Sequence, residues 1–286
     1  MLYCFYKQVV FNMPLYLYSL SAGWSGQAVY EPWSMTAFNV VFTALPIMFF
    51  AMLDQDVPRR AVIAKPQLYH TGQTSFYFNS SVMSYWVLSG LWHSIVILST
   101  VKGMFAATEV PHYQGHTNSS CYDLGVVVYS IVVVVLALKL MLETHYFTWI
   151  NWFGFVFSVM IWFVWCIIIH LWSEAVPETN GTIYHLSSTV GFWACLILTP
   201  IICLLRDFVW KFGKRVYCPE PYHLIQEAVH LGIPLGEFEL DTFKEKSSVK
   251  GIILAKAARA AAFTKSAFGI GYAYDGAAAA ESHSGR

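Results

Sequence analysis

Charge is what this sequence has least of. Only 12% of its 286 residues are Asp, Glu, Lys or Arg, roughly half the proportion usual in a soluble domain. So low a content excludes a disordered chain, a coiled coil and a soluble nucleic-acid binder. The six cysteines (Cys4, Cys121, Cys166, Cys195, Cys203, Cys218) show no C-x-x-C spacing and mostly lie in apolar runs. Thiolate metal sites and a disulfide framework are therefore not expected; buried thiols packing between helices are. G-x-x-x-x-G-K-[ST], G-x-G-x-x-G and G-x-S-x-G are also missing, so no recognisable motif here binds or hydrolyses a nucleotide. What fills the chain is apolar: 57% hydrophobic and 17% aromatic, with 21 Phe, 17 Tyr and 11 Trp. This is the composition of an integral membrane protein.

Six stretches approach the roughly 20 mostly apolar residues that cross a bilayer. They are Leu2–Ala22, Trp33–Leu53, Val82–Met104, Leu124–Leu142, Ile150–Trp172 and His185–Leu205. The first is read as a mature span rather than a secretory signal. It has no basic residue before Lys7, carries Asn12 and Pro14 within its apolar part, and lacks a clear A-x-A cleavage site. Loop 54–76 contains Arg59, Arg60 and Lys65, and eleven of the seventeen basic residues follow residue 205. Loops 23–32, 106–123 and 173–184 contain no Lys or Arg. By the positive-inside rule the basic segments, including the C-terminus, are cytosolic and the other three loops face outward. The sequons at Asn118 and Asn180 fall in outward loops and are candidate glycosylation sites, whereas Asn79 is on the cytosolic side and should stay bare.

Several residues do not suit lipid. Lys7, Gln8 and Asn12 share the first span, and Asn39 precedes Pro46 in the second. Such groups cost a few kcal/mol each in hydrocarbon and usually face a polar cavity. Proline removes a helical hydrogen bond, leaving nearby carbonyls free to face a ligand or water. Lys7 has two open readings: it lines a polar path, or it snorkels to the interface. His93, His170, His185 and the His112-x-x-x-His116 pair lack the companions that a haem or metal site needs. Satisfied polar side chains account for them better, and no metal site is expected.

The order and spacing of further segments resemble one family. Leu2-Tyr-Cys-Phe-Tyr-Lys7, Gly26-Gln27, Phe38-Asn39-Val-Val-Phe-Thr-Ala-Leu-Pro46 and Asp54-Gln55-Asp56 come first. Lys65-Pro66-Gln67-Leu68-Tyr69, Leu142-Glu143-Thr144 and Arg206-Asp207-Phe208-Val209-Trp210-Lys211 follow. Then come Lys214-Arg215-Val-Tyr-Cys-Pro-Glu-Pro-Tyr222-His223-Leu-Ile-Gln226-Glu227 and Gly271-Tyr272-Ala273-Tyr274. Together they resemble the type IV P-type ATPases, the phospholipid flippases, and the last motif resembles the aminophospholipid branch. The resemblance weakens only over about 234–268.

It implies an all-α integral membrane protein whose six helices correspond to the family's fifth to tenth spans. Residues 1–205 would be the transmembrane domain, 206–233 a juxtamembrane regulatory segment, and 234–286 a basic, partly disordered cytosolic tail. The phosphorylation motif D-K-T-G-T, the D-G-E-T glutamate and the Mg²⁺ ligands of the family would precede this chain. No catalytic residue is expected here, and ATP and Mg²⁺ are implied only for a full-length protein. Met1 would then be an internal methionine or a fragment boundary, a separately encoded module being the less favoured case.

Carried over residue by residue, the resemblance makes Lys7, Gln8 and Asn39 candidate ligands of a phospholipid headgroup. Gln8 stands where the family usually has Asn, which puts headgroup preference in question. A lysine and two amides suit the headgroup of phosphatidylserine or phosphatidylethanolamine, offering donors to phosphate or carboxylate and acceptors to ammonium. The implied activity is movement of aminophospholipids from the outer or luminal leaflet to the cytosolic one. Arg206, Trp210, Lys211, Lys214, Arg215, Tyr222 and His223 resemble a phosphoinositide-binding region; a plain positive-inside flank would account for the bases alone. Gly271, Tyr272, Ala273 and Tyr274 resemble an autoinhibitory tail, against the plainer alternative of a solvated terminus. The family also implies a glycosylated two-span accessory subunit and a Golgi, endosomal or plasma-membrane location. Glu109, Asp123, Glu174 and Glu178 make the outward loops a plausible match for a basic partner surface. A truncated regulator that binds the flippase partner or phosphoinositide without pumping is the alternative function.

Overall fold

The computed structural model describes residues 1–64, 66–68, 72, 77–107, 121–171, 181–217 and 220–230. Among these there are helices and no strand. In chain order they are α1 (Leu2–Ser21), α2 (Pro32–Ala37), a π-helical segment (Phe38–Phe42), α3 (Ala44–Leu53) and α4 (Arg59–Ala64). A 3₁₀ turn (Pro66–Leu68) leads on to α5 (Ser80–Ala107), α6 (Cys121–Glu143), α7 (Trp149–Leu171), α8 (Thr182–Ser187), α9 (Val190–Tyr217) and α10 (Pro221–His230). The sequons at Asn118 and Asn180, and the tail motif Gly271–Tyr274, lie outside the described residues.

Five helical stretches are long and apolar enough to cross a membrane: Pro32–Leu53, Ser80–Phe105, Cys121–Glu143, Trp149–Ile169 and Val190–Tyr217. The protein is therefore an all-α membrane protein, as its composition indicates, but the count of six apolar spans is not exact. α1 has 20 residues, which at 1.5 Å per residue reach about 30 Å. Lys7, Gln8 and Asn12 make it less apolar than the other five, and its place in the fold comes from packing. It lies along α5 and also contacts α6. Gly90 of α5 permits the close approach, since a Cβ there would lie 2.9 Å from the Val9 side chain.

Two expected spans differ in detail. The second is not one continuous helix. Pro46 has no N–H to offer the Phe42 carbonyl, and the chain forms a wider π turn just before it. The Thr43 hydroxyl donates to the Phe38 carbonyl at 3.0 Å, and the Ser158 hydroxyl of α7 donates to the Phe42 carbonyl. The carbonyl released by proline is thus taken by a neighbouring helix. The last span, expected over 185–205, is split. α8 ends at Ser187, the Thr189 hydroxyl donates to the Leu186 carbonyl at 2.7 Å, and α9 then runs from Val190 to Tyr217. It continues twelve residues past the expected end because charged side chains on it find partners on other helices.

The chain forms two units, Met1–Val62 with Pro66–Lys211, and Ile63–Lys65 with Phe212–Arg286. The centre of the first is α6: 72% of its apolar window is buried, against 22–39% in the other four stretches. Its valine run packs into a core shared with α1, the π segment and α7. Aromatic rings order that core. Phe11 stacks on Phe38 at 3.8 Å, and Tyr129 stacks on Trp162 at 3.9 Å. Phe42 meets Trp162 edge-on at 5.3 Å. Trp162 Nε1 and the Tyr129 hydroxyl donate to Ser130 Oγ and the Ser34 carbonyl, so both rings bury area without stranding a polar atom. In the second unit, α10 has Leu224 and Ile225 buried, and Lys214 pairs with Glu220.

The loop before α2 crosses α6 at Gly125, where a Cβ would fall 2.0 Å from the Val29 carbonyl oxygen. Gly125→Ala should therefore destabilise the protein by about 2 kcal/mol or more. Gly103→Ala, where nothing lies within 4 Å of the added atom, should be neutral or better. Thermal unfolding of both variants in detergent checks the difference.

Candidate functional site

Lys7 and Gln8 are adjacent on α1, and both reach the π-helical stretch of the second span. Lys7 is only 7% exposed, and its ammonium donates to Thr43 Oγ1 at 2.9 Å. It also lies 5.9 Å from the centre of the Phe38 ring. Gln8 Nε2 donates to Asn39 Oδ1 at 2.7 Å, and Asn12 Nδ2 donates to the Gln8 carbonyl at 2.8 Å. The structure thus brings together the three residues that the sequence singled out, Lys7, Gln8 and Asn39, and adds Thr43. It also decides how Lys7 is placed. Its ammonium lies buried against the neighbouring segment instead of extending to an interface.

The chemistry of the group follows from its surroundings. The hydrogen-bond partner of Lys7 is a neutral hydroxyl, which in turn donates to the Phe38 carbonyl. A buried ammonium on a neutral partner favours an incoming anion strongly. Asn39 and Asn12 are exposed, so the amide end of the group opens outward while the lysine end is enclosed. The Phe38–Phe42 π turn widens the backbone at this point, as π turns at functional positions often do.

A second cluster, which the sequence reading missed, is buried between α1, α5, α6 and α9. Lys139 of α6 pairs with Asp207 of α9 at 2.8 Å and with Glu143 at 3.0 Å. Its ammonium also lies 4.8 Å from the centre of the Trp86 ring. Asp207 further accepts from Arg206 at 3.0 Å, and Arg206 donates to Ser89 Oγ at 2.8 Å. Lys211 donates to Glu143 at 2.9 Å and to the Leu142 carbonyl at 2.6 Å. His93, fully buried, faces the Cys203 carbonyl through Nε2 at 3.0 Å and the Tyr6 hydroxyl through Nδ1 at 2.5 Å. A carbonyl can only accept, so Nε2 carries the proton and Nδ1 accepts from Tyr6. This bears out the reading of His93 as a satisfied polar side chain. The side chains of His170 and His185, and residues His112 and His116, lie outside what is described. The missed signal was Lys139 itself, an ionisable group inside a run of valine and leucine, which demands a buried partner of opposite sign.

The residues of the expected phosphoinositide region fall in both units. In the first, Arg206 and Lys211 are held by the pairs just described, and exposed Trp210 stacks with Tyr85 at 6.0 Å. In the second, Lys214 pairs with Glu220 at 2.5 Å, Arg215 is exposed, and the Tyr222 and His223 rings lie 4.0 Å apart. The Glu220 N–H donates to His223 Nδ1 at 3.1 Å.

Two other motifs acquire a physical role. Asp54 closes α3, and one of its carboxylate oxygens accepts from the backbone N–H groups of His145 and Tyr146 at 2.8 and 2.9 Å. It therefore ties the end of α3 to the link between α6 and α7. Asp54, Asp56 and His145 offer ligand atoms within 4.8 Å of one another, but this tie accounts for Asp54. Glu31 caps α2 by accepting from the N–H groups of Trp33 and Ser34 at 2.8 and 2.6 Å.

Comparison with known proteins agrees with this architecture. Residues 1–220 match the family described as phospholipid-translocating P-type ATPase C-terminal. Phospholipid-transporting ATPase C887.12 of Schizosaccharomyces pombe is 32% identical over 79% of this chain and 18% of its own length. Phospholipid-transporting ATPase DRS2 of Saccharomyces cerevisiae is 32% identical over 79% of this chain and 17% of its own. Probable phospholipid-transporting ATPase 7 of Arabidopsis thaliana is 28% identical over 81% and 19%. The chain thus spans less than a fifth of the length of these relatives.

The charge cluster supplies a stability test. Lys139→Met or Asp207→Leu alone should cost about 3 kcal/mol, because each leaves a buried charge short of a partner. The double variant should cost less than the sum, by about 1 kcal/mol or more. A double-mutant cycle on unfolding in detergent measures that coupling.

Proposed function

Because this chain belongs to the C-terminal region of the phospholipid-translocating type IV P-type ATPases, we propose that it forms the lipid-handling membrane part of an ATP-driven flippase. The observation that carries the reading is the buried Lys7 ammonium, held by Thr43 at a π turn beside the exposed amides of Asn39 and Asn12. An anionic headgroup oxygen entering there exchanges a neutral partner of Lys7 for a charged one, while the amides meet the rest of the headgroup. Phosphatidylserine or phosphatidylethanolamine fits this donor and acceptor set, with the acyl chains remaining in lipid and transport directed to the cytosolic leaflet. ATP and Mg²⁺ would be used by domains joined to this segment. In this chain, Lys7, Gln8, Thr43 and Asn39 bind and orient the headgroup, and the aromatic core behind them keeps water out.

The juxtamembrane bases and the Gly271–Tyr274 tail fit regulation: phosphoinositide at 206–227 would release an inhibitory tail. The outward loops, free of Lys and Arg, fit an accessory subunit with a basic surface. Of the acidic residues expected there, Asp123 is buried and offers that partner no exposed charge. A compartment on the Golgi, endosomal or plasma-membrane route with a cytosolic C-terminus completes the reading. The alternative reading is a membrane regulator that binds the flippase partner or phosphoinositide without pumping.

In a full-length ATPase carrying this segment, Lys7→Met and Asn39→Ala should each lower lipid-stimulated turnover about tenfold. Phosphoenzyme formation from ATP should fall much less. Stimulation of the purified enzyme by phosphatidylserine and phosphatidylethanolamine vesicles measures it, and unchanged lipid dependence in both variants would count against the headgroup role. Lipid-stimulated ATPase activity and movement of a labelled lipid across vesicles separate the pump from the non-pumping regulator.

A further inference from the structure

Lys7 has to be held in place. Two buried aromatic and charged layers meet on α1 at consecutive residues: Lys7 faces the π turn, and Tyr6 faces the ion cluster. Tyr6 is fully buried and edge-on to both Trp86 and His93, at 5.8 and 5.6 Å between ring centres. Its hydroxyl donates to His93 Nδ1, and His93 Nε2 is fixed by the Cys203 carbonyl at 3.0 Å with Asp207 Oδ2 at 3.5 Å. Lys139, from a fourth helix, α6, lies 5.8 Å from the centre of the same tyrosine ring while gripping Asp207. The hydroxyl of Tyr6 is therefore tied to α9 through a single imidazole.

We propose that Tyr6 is a positioning residue for the headgroup lysine. Through His93 it couples the rotation of α1, and hence the placement of the Lys7 ammonium, to the position of α9. Adjacent helical residues point about 100° apart, so fixing the tip of a long rigid side chain at 6 fixes the direction taken at 7. A small turn of α1 about its axis carries the Lys7 ammonium off Thr43, and the tyrosine hydroxyl resists that turn. The arrangement also gives α9, whose cytosolic-side residues Arg206, Asp207 and Lys211 are bound to α5 and α6, a route to the headgroup path. Displacing α9 loosens His93, frees Tyr6, and relaxes the lysine. The proposal rests on the reading of Lys7 as a headgroup ligand.

The test uses a full-length ATPase carrying this segment, with phosphatidylserine in vesicles as the probe. Tyr6→Phe removes one oxygen and keeps the ring. It should raise the lipid concentration for half-maximal ATPase stimulation about fivefold, with a smaller change in maximal rate. His93→Leu should reproduce the shift. His93→Gln, which offers an acceptor to Tyr6 and a donor to the Cys203 carbonyl, should restore half-saturation to within about twofold of the parent. Adding Tyr6→Phe to Lys7→Met should shift half-saturation no further than Lys7→Met alone. A shift in Lys7→Met with none in Tyr6→Phe would overturn the positioning role and leave the headgroup reading standing. No shift in Lys7→Met would overturn the headgroup reading, and the positioning role with it. Loss of folded protein in Tyr6→Phe moves the comparison to the two His93 variants; loss in His93→Leu as well makes the contact purely structural and overturns the proposal.

Discussion

The buried pair of Lys139 and Asp207 is the constraint on which the arrangement of helices depends. Taking either charge out of water costs several kcal/mol, and the cost is offset only when the partner is held in good geometry with further hydrogen bonds. Here the partner lies on another helix, 68 residues away in sequence. The surrounding groups satisfy the remaining valences: Glu143 and the Trp86 face for the lysine, Arg206 and His93 for the aspartate. No purely apolar contact between α6 and α9 would specify their register so closely, because apolar surfaces in lipid slide at little cost.

The group around Lys7 is built on the opposite principle. Its central cation is left with a neutral partner, and its amides bond to one another at the edge of the protein. A fully paired cluster stabilises, whereas a buried cation on a neutral partner favours an incoming anion; lysine occupies both settings within one bundle. The two are close neighbours because Tyr6 and Lys7 are consecutive on α1. Pro46 contributes to the second site by removing one helical bond. The cost to the fold is small, since Ser158 takes the carbonyl that proline releases.

Much of the architecture is legible in the chain. Scarce charge, long apolar runs and basic loops on one side point to a helical membrane protein and to its approximate spans. Lys7, Gln8 and Asn39 stand out as polar groups in apolar context, and ordered motifs point to the family. α1 shows the limit of that approach: its hydropathy falls short of a membrane span because Lys7, Gln8 and Asn12 make it polar. Asp54-Gln-Asp56 and Leu142-Glu143-Thr144 are visible as motifs, but their meaning is spatial. Asp54 binds backbone N–H groups at His145 and Tyr146 across 91 and 92 residues.

Composition and periodicity by themselves determined the solvent of this protein, its secondary structure and the identity of its unusual polar residues, because those properties depend on local transfer free energies. Only the tertiary structure decided which of those residues meet. Lys7 could snorkel or turn inward until Thr43 was seen beside it, and Lys139 had no meaning until Asp207 arrived from α9. Pairing of buried charges is a matter of distance in space, and sequence separation carries no record of it.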